Sequence, residues 1–155
     1  MNKFDMKLIS KTKKRIKKLL YVWDGSTHVD QTVQKYFDSF KNVSIKSIYV
    51  LPHESIYDYN TVCSSVEDDL PSLRRIHNSY KRFANSDERL KTAKFEVHFG
   101  DRIATVVRLS KMLRTSTIIM PRFKQSGFSK WIHGDLNTRI KREAACEVVF
   151  YESSN

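Results

Sequence analysis

Five short apolar runs, separated by stretches of helical periodicity, constrain the fold of this chain more than any other feature. The runs are 19–23, 44–51, 94–99, 116–120 and 146–151. Each is short and rich in β-branched or aromatic residues, which is typical of a buried strand. Strands that alternate with helices predict a parallel sheet covered on both faces. With 155 residues, the chain has the length of one such α/β domain.

Apolar residues between these runs recur every three or four positions, as on the buried face of a helix. The stripes are Val29-Val33-Tyr36-Phe37-Phe40, Leu73-Ile76-Tyr80-Phe83, Ile103-Val106-Val107-Ser110-Leu113 and Phe128-Ile132-Leu136-Ile140. Thr27 and Asp30 form a capping-box pattern, which predicts that the first helix begins near Ser26 or Thr27. The last stripe predicts one helix across 128–140 that buries a narrow face, with Trp131 as a core or interface anchor.

Positive charge is concentrated in two separate regions of the chain. The formal net charge is +11, of which residues 1–18 supply +7 and residues 102–142 supply +9, whereas 19–101 and 143–155 are acidic. We expect 1–17 to be a solvated basic leader, ahead of a domain that spans 18–152. The alternative is that the two basic regions contact a nucleic acid or another polyanion.

Several function classes are disfavoured by what the sequence lacks. No apolar run reaches the roughly 20 residues that span a bilayer, and the N-terminus lacks the apolar core of a signal peptide, so we expect a cytoplasmic protein. The histidines and the two cysteines, Cys63 and Cys146, show no metal-ligand spacing. We expect two inert thiols, with a single disulfide as the alternative. Ser126 has no base near it in sequence, and no catalytic residue is identified.

Three stretches of the chain resemble, in the same order, parts of the universal stress protein family. Residues 21–26 (YVWDGS) resemble the end of its first strand, and residues 100–107 (GDRIATVV) resemble the start of its third helix. Residues 116–150 resemble its closing strand, Ser-Gly loop, helix and last strand. The resemblance implies an open five-stranded parallel sheet of order 3-2-1-4-5, Rossmann-like and similar to the adenine nucleotide alpha hydrolases. It also implies a ligand crevice at the carboxyl ends of the first and fourth strands.

The family's nucleotide motif, G-x2-G-x9-G-[ST], keeps its spacing here but only one of its four positions. Pro121 and Lys124 stand at the first two glycine positions, Gly134 at the third, and Asp135 where Ser or Thr is expected. Proline has no N–H to offer a phosphate, and Lys124 would be strained in a left-handed turn. The Asp135 carboxylate would repel a phosphate by on the order of 4 kcal/mol at about 4 Å and an effective dielectric near 20. We therefore expect ATP binding in the family manner to be lost.

Other residues favour an adenine nucleotide, which stays the alternative ligand. By the resemblance, the crevice residues would be Asp24, Gly25, Val50, Arg122, Lys124, Ser126, Gly127, Gly134 and Asp135. Asp24 matches the acid that nucleotide-binding members carry near the ligand, and Val50 matches the second-strand end that faces the adenine. Arg122, Lys124 and Lys130 could bind phosphate through their side chains.

The function expected from these observations is that of a non-enzymatic stress-response or regulatory protein without a cofactor or a metal. The resemblance implies a homodimer formed by the exposed last strand, with Phe150 and Tyr151 available to the partner. The predicted dimer edge consists of Val148, Val149, Phe150 and Tyr151. One alternative is a protein that binds and slowly hydrolyses ATP with Asp24 and the 121–135 loop. The second alternative is a basic module that binds nucleic acid or another polyanion.

Overall fold

The computed structural model describes residues 15–52 and 70–153. The strands are β1 (Lys17–Val22), β2 (Val43–Leu51), β3 (Lys94–Phe99), β4 (Thr117–Pro121) and β5 (Glu147–Tyr151). The helices are α1 (Gln31–Asp38), α2 (Leu70–Ala84), α3 (Glu88–Lys91), α4 (Arg102–Met112), α5 (Gly127–His133) and α6 (Leu136–Glu143). The predictions for most of the leader and for Cys63 lie outside the described residues.

The five strands form one parallel sheet in the order β3-β2-β1-β4-β5. Leu20 lies at the centre, beside Lys46 of β2 and Ile118 of β4. The predicted five-stranded α/β fold and its strand order are therefore confirmed. Among the helices described, none is both long enough and apolar enough to cross a membrane.

The two faces of the sheet are covered by different kinds of buried side chain. One face is aromatic, and its buried residues include Tyr21, Trp23, Phe37, Tyr80 and Phe83 with the inner sides of α1, α2 and α3. The other face is aliphatic and packs against α4 and α6. Its buried residues include Leu20, Val22, Ile48, Val106, Met120 and Ile140. Helices therefore cover both faces of the sheet, as a parallel sheet requires.

The start of the first helix differs from its prediction. Helix α1 begins at Gln31, because the Asp30 carboxylate accepts the hydrogen bond from the Thr32 N–H at 2.7 Å and acts as the N-cap. The capping box predicted at Thr27 was wrong. Pro71 does lie in the first turn of α2, where a missing N–H breaks no helical hydrogen bond.

The predicted last helix is two short helices, α5 and α6. Gly134 has a φ of +72° and ends α5, and Asp135 then caps α6. Helix α5 buries none of its residues. Its apolar side chains, which we call the α5 aromatic face, are exposed: Phe128 by 70%, Trp131 by 82% and Ile132 by 51%. The predicted continuous buried stripe was wrong, and Trp131 is not a core residue.

The last strand differs from its prediction at one side chain. Tyr151 is only 3% exposed and donates a hydrogen bond from its hydroxyl to the Val22 carbonyl at 2.7 Å. It is therefore not available to a partner subunit, contrary to the expectation. Val148, Val149 and Phe150 are half-buried on β5, whose only described neighbour is β4.

The acid stability of the fold depends on Glu96 of β3. Its carboxylate pairs with Lys46, with Lys94 at 3.2 Å and with His98 at 3.2 Å. The hydrogen bond from Lys46 contributes most to lowering the pKa of Glu96 from 4.5 to about 2. A lowered folded-state pKa adds stability that is present above pH 4.5 and is lost as the pH falls through about 2.

We expect the free energy of unfolding of Glu96→Gln to fall less at acid pH than that of the wild type. The variant should be less stable than the wild type at neutral pH, and this difference should shrink between pH 4.5 and about 2, the two pKa limits of Glu96. Urea titrations at a series of pH values measure it. If the difference in the free energy of unfolding between the two proteins stayed constant over this range, the lowered pKa of Glu96 would be contradicted.

Candidate functional site

The candidate site lies at the carboxyl ends of β1 and β4. These neighbouring strands are where the strand order reverses, and ligands of open α/β sheets bind at such a point. One wall is the turn after β1, residues 24–26, and the other is the loop after β4, residues 122–126. The structure thus brings Asp24 and Gly25 to the same edge of the sheet as Arg122, Lys124 and Ser126.

The turn after β1 is held by the chain itself. The Asp24 carboxylate accepts a hydrogen bond from the Ser26 N–H at 3.0 Å and another from the Ser153 hydroxyl at 2.6 Å. Gly25 has a φ of +87°, a left-handed conformation that glycine adopts at least cost. The Trp23 indole N–H donates to the Ser26 carbonyl at 3.0 Å. Asp24 therefore occupies the predicted position, with both carboxylate oxygens bonded to the protein's own donors.

Side-chain amides occupy main-chain donors of the loop after β4. Asn137 accepts from the Phe123 N–H at 2.9 Å and donates from Nδ2 to the Phe123 carbonyl at 3.1 Å. Gln125 accepts from the Leu136 N–H at 2.9 Å and donates to the Gly134 carbonyl at 3.1 Å. A phosphate-binding loop needs such N–H groups to point at the ligand. Here the Phe123 N–H of the loop and the Leu136 N–H in the first turn of α6 are already bonded to side chains of the protein.

Sequence reasoning identified neither Gln125 nor Asn137, because Gln125 lies between two motif positions and Asn137 lies two residues after the last one. Their role was only weakly indicated by the sequence. Two amide side chains, each able to donate and to accept a hydrogen bond, occur close to a loop that lacks the motif's first two glycines.

The two altered glycine positions have different structural consequences. Pro121 is the last residue of β4 and lies beside Tyr151, and the Arg122 N–H donates to the Tyr151 carbonyl at 2.8 Å. Lys124 does not have a positive φ, because Arg114 is the one non-glycine residue with a positive φ in the described ranges. Lys124 therefore does not carry the left-handed strain that was expected of it. Its ammonium donates to the Ser153 carbonyl at 3.1 Å.

The last two motif positions form the helix break between α5 and α6. Asp135 accepts from the Asn137 N–H and from the Thr138 hydroxyl, each at 3.0 Å. The Thr138 hydroxyl, followed by main-chain N–H groups, lowers the pKa of the Asp135 carboxyl, so it stays ionised. Gly134 keeps both the glycine identity and the positive φ of its motif position. The carboxylate therefore serves as an N-cap, a role that Ser or Thr would also fill.

Three predicted site residues remain, Val50, Ser126 and Gly127, and the first two have roles in the fold itself. Val50 is only 3% exposed and packs in the aliphatic core, so its side chain does not line an open crevice. Ser126 caps α5 by accepting from the Ser129 N–H at 3.1 Å. Gly127 opens α5, and open space surrounds the position of a Cβ there.

The C-terminal segment after β5 binds the cations of the crevice. The Arg122 guanidinium donates to Glu152 at 3.0 Å and lies 5.2 Å from the centre of the Phe150 ring. Together with the Lys124 and Asp24 contacts to Ser153, this places residues 152–153 against both walls. Two of the three cations that could have bound a phosphate, Arg122 and Lys124, are therefore engaged by residues 152–153.

The thiol and metal predictions concern other parts of the chain. Cys146 is free and half-buried just before β5, and burial raises the pKa of its thiol. Within 15–52 and 70–153, no group of three His, Cys, Asp or Glu side chains could hold a metal ion.

Comparison with known proteins gives likeness of structure alone. No protein-family model matches the chain, and no curated protein does. Solved structures do match: the hypothetical protein PH0823 has 15% identity and a TM-score of 0.56, covering 90% of this chain and 98% of its own. A universal stress protein in complex with cAMP has 14% identity and a TM-score of 0.53, covering 90% and 98%.

A third solved structure is the hypothetical protein MJ0577, the subject of a structure-based assignment of biochemical function. It has 16% identity to this chain and a TM-score of 0.57, with 90% of this chain and 97% of its own covered. The likeness therefore extends over nearly the whole of each domain.

Proposed function

We propose that this chain, which has the universal stress protein fold, is a non-enzymatic regulatory protein of the stress response that does not bind ATP in the family manner. The observation that carries the proposal is the hydrogen bonding of the loop after β4. Asn137 and Gln125 hold the Phe123 and Leu136 N–H groups. A phosphate would have to displace both side chains, and each buried polar group left unpaired costs about 1–3 kcal/mol.

The charges of the crevice support the same proposal. Asp24 and Asp135 are anionic and each is held by hydrogen bonds, whereas Arg122 and Lys124 bind the C-terminal segment. A nucleotide phosphate would therefore have to displace Glu152 from Arg122 or Ser153 from Lys124 to bind these two cations. The site therefore resembles a crevice filled by its own chain.

Binding of ATP to the purified wild-type protein tests this proposal. We expect no change in the melting temperature with millimolar ATP and magnesium, and no heat of binding in titration calorimetry. Native mass spectrometry of the protein as purified should show the mass of the chain without a bound nucleotide. A rise in melting temperature that saturates with ATP would refute the proposal, since a ligand of the native state must stabilise it.

The second candidate is an adenine-nucleotide-binding protein with slow hydrolysis. Two observations favour it: Asp24 lies at the end of β1, and Gly134 keeps the positive φ of its motif position. A solved structure of similar fold is a complex with cAMP. The calorimetric titration, repeated with cAMP, distinguishes this candidate from the first.

We also propose that the protein is a homodimer that pairs through β5. This strand is at the edge of the sheet and carries three half-buried apolar residues, Val148, Val149 and Phe150. An exposed apolar edge strand needs a cover to avoid non-specific association. Light scattering should then give twice the chain mass of 18.2 kDa, and a monomer at high concentration would refute the proposal.

A further inference from the structure

We infer that the amino ends of β1 and β4 form a binding groove for the phosphate backbone of nucleic acid, at the opposite edge of the sheet from the crevice. We call this the amino-edge groove. Its cations are Arg15, Lys17, Lys18, Lys111 and Arg114. The inference is independent of the function proposed for the crevice.

The groove consists of two cavities that share one residue, Arg114. The larger has a volume of about 570 Å³ and the smaller of about 290 Å³. The larger is lined by Arg15, Ile16, Lys17, Lys18, Arg114 and Ser116. The smaller is lined by Ser110, Lys111, Arg114, Thr115, Ala145 and Cys146. No described Asp or Glu lines either cavity, so the groove has one sign of charge.

The sheet brings together two basic regions that are far apart in sequence. β1 pairs with β4, and Ser116 donates to the Lys18 carbonyl from its N–H at 2.9 Å and from its hydroxyl at 2.8 Å. The end of the basic leader therefore lies beside the C-terminal end of α4. Arg102 lies at the opposite end of the same helix, and its guanidinium is 5.6 Å from the centre of the Phe123 ring in the loop after β4. The basic segment 102–142 is thus not a single face, and part of it joins the leader.

Arg114 occupies a backbone position that favours glycine. It follows the C-cap of α4, Leu113, and its φ of +51° is in the left-handed region. Glycine is the usual residue there, because a Cβ in this conformation crowds the following carbonyl oxygen. The turn is fixed by Thr115, which donates to the Ser110 carbonyl from both its N–H and its hydroxyl. An arginine at this position is therefore costly for folding and places a cation where both cavities meet.

Among the residues that the structure describes, most of the groove's cations have no carboxylate partner. Lys17 lies 3.6 Å from Glu147 and 4.2 Å from the centre of the Phe40 ring, so its charge is partly compensated. Within the described part of the chain, no ion pair involves Arg15, Lys18, Lys111 or Arg114. Unpaired cations along one groove attract a polyanion and release its counterions on binding.

The lining favours a phosphate chain over other anionic partners. Its described lining has no aromatic ring on which a base could stack, so contacts would be with phosphates and independent of sequence. Among the described lining residues, Ile16 is the one exposed large apolar side chain, which is too little to insert into a lipid surface.

The test compares Arg114→Gly with a matched loss of charge elsewhere. Glycine fits the backbone of residue 114, so this variant should be at least as stable as the wild type. Arg74→Gln removes one positive charge from an exposed position on α2, away from the groove. Binding of fluorescein-labelled duplex DNA and single-stranded RNA is measured by anisotropy over a series of salt concentrations.

We expect the wild type to bind both probes at low salt, with affinity that falls steeply as salt rises. Arg114→Gly should weaken binding several-fold and lower the salt slope for duplex DNA by about 0.9, the value for one lost phosphate contact. Arg74→Gln should leave the slope unchanged, and Arg114→Lys should retain it. Equal effects of Arg114→Gly and Arg74→Gln would overturn the inference in favour of net charge alone.

Two further outcomes would also overturn it. The first is binding of inorganic polyphosphate without binding of either nucleic acid. The second is binding on the α5 aromatic face, which Trp131 would report, because the only other tryptophan, Trp23, is 4% exposed. Quenching of Trp131 by RNA, with loss of affinity in Trp131→Ala and none in Arg114→Gly, would place the nucleic acid there.

Discussion

Phe83→Ala is expected to lower the free energy of unfolding by about 3–5 kcal/mol, the usual cost of removing a fully buried aromatic ring. Phe83 is 1% exposed at the centre of the aromatic core. Its ring is stacked on Tyr21 at 6.1 Å between centroids and lies 5.6 Å from Trp23 and 5.9 Å from Tyr80. Alanine would leave a cavity that these rings cannot fill without losing their contacts with one another.

Trp131→Ala is the matched control, because it removes a larger ring from an exposed position. Trp131 is 82% exposed and touches Phe128 on the same helix. Its removal should change stability by no more than about 0.5 kcal/mol. Urea unfolding followed by circular dichroism measures both variants. If Trp131→Ala lost as much stability as Phe83→Ala, α5 would have to pack against another surface in solution. If Phe83→Ala lost little stability, the aromatic core would be contradicted.

The sheet and most helices could be predicted from sequence, because the buried face of each element places apolar residues at a regular spacing. The third strand was predicted with both its ends, 94–99, and the other strands to within two residues. The same reasoning failed at 128–140, where a four-residue period continued across a break. Gly134 and Asp135 are a helix end and an N-cap, but they were interpreted only as positions of a ligand motif. Local capping signals outweigh a periodic stripe when they fall within it.

The candidate site was predictable only where its residues are defined by a motif. The changes at Pro121, Lys124 and Asp135 could be found by placing the motif of the resembled family on the sequence. The hydrogen bonds that fill the loop could not, because Asn137 reaches back 14 residues to Phe123. The contact between Ser153 and Asp24 joins residues 129 positions apart. Such contacts follow from the parallel pairing of the sheet and have no signal in the local sequence.

Restoring the nucleotide motif is expected to require more than its three altered positions. The motif alone predicts that Pro121→Gly, Lys124→Gly and Asp135→Ser together create ATP binding. In the structure, the Phe123 and Leu136 N–H groups would still be held by Asn137 and Gln125. We therefore expect the triple variant to bind ATP weakly, and the same variant with Asn137→Ala and Gln125→Ala to bind it at least tenfold more tightly.

The expected gain comes from the two N–H groups that the added substitutions release. A hydrogen bond to a charged phosphate contributes about 1.5–3 kcal/mol, and 1.4 kcal/mol corresponds to a factor of ten in affinity. Removing the Asp135 carboxylate adds less than the sequence predicted, because that side chain is exposed and water screens its charge. The loop hydrogen bonds, and not the carboxylate, are therefore expected to be the main barrier to the ligand.

Titration calorimetry with magnesium ATP compares the wild type, the triple variant and the quintuple variant. Asn137→Ala in the wild-type chain is the control, since it frees the Phe123 amide while Pro121, Lys124 and Asp135 remain. It should lose about 1–3 kcal/mol of stability and bind no ATP. Circular dichroism establishes that each variant is folded. Equal affinities for the triple and quintuple variants would show that Asn137 and Gln125 yield readily to a phosphate, and the crevice would then be closed by Pro121 and Lys124 themselves.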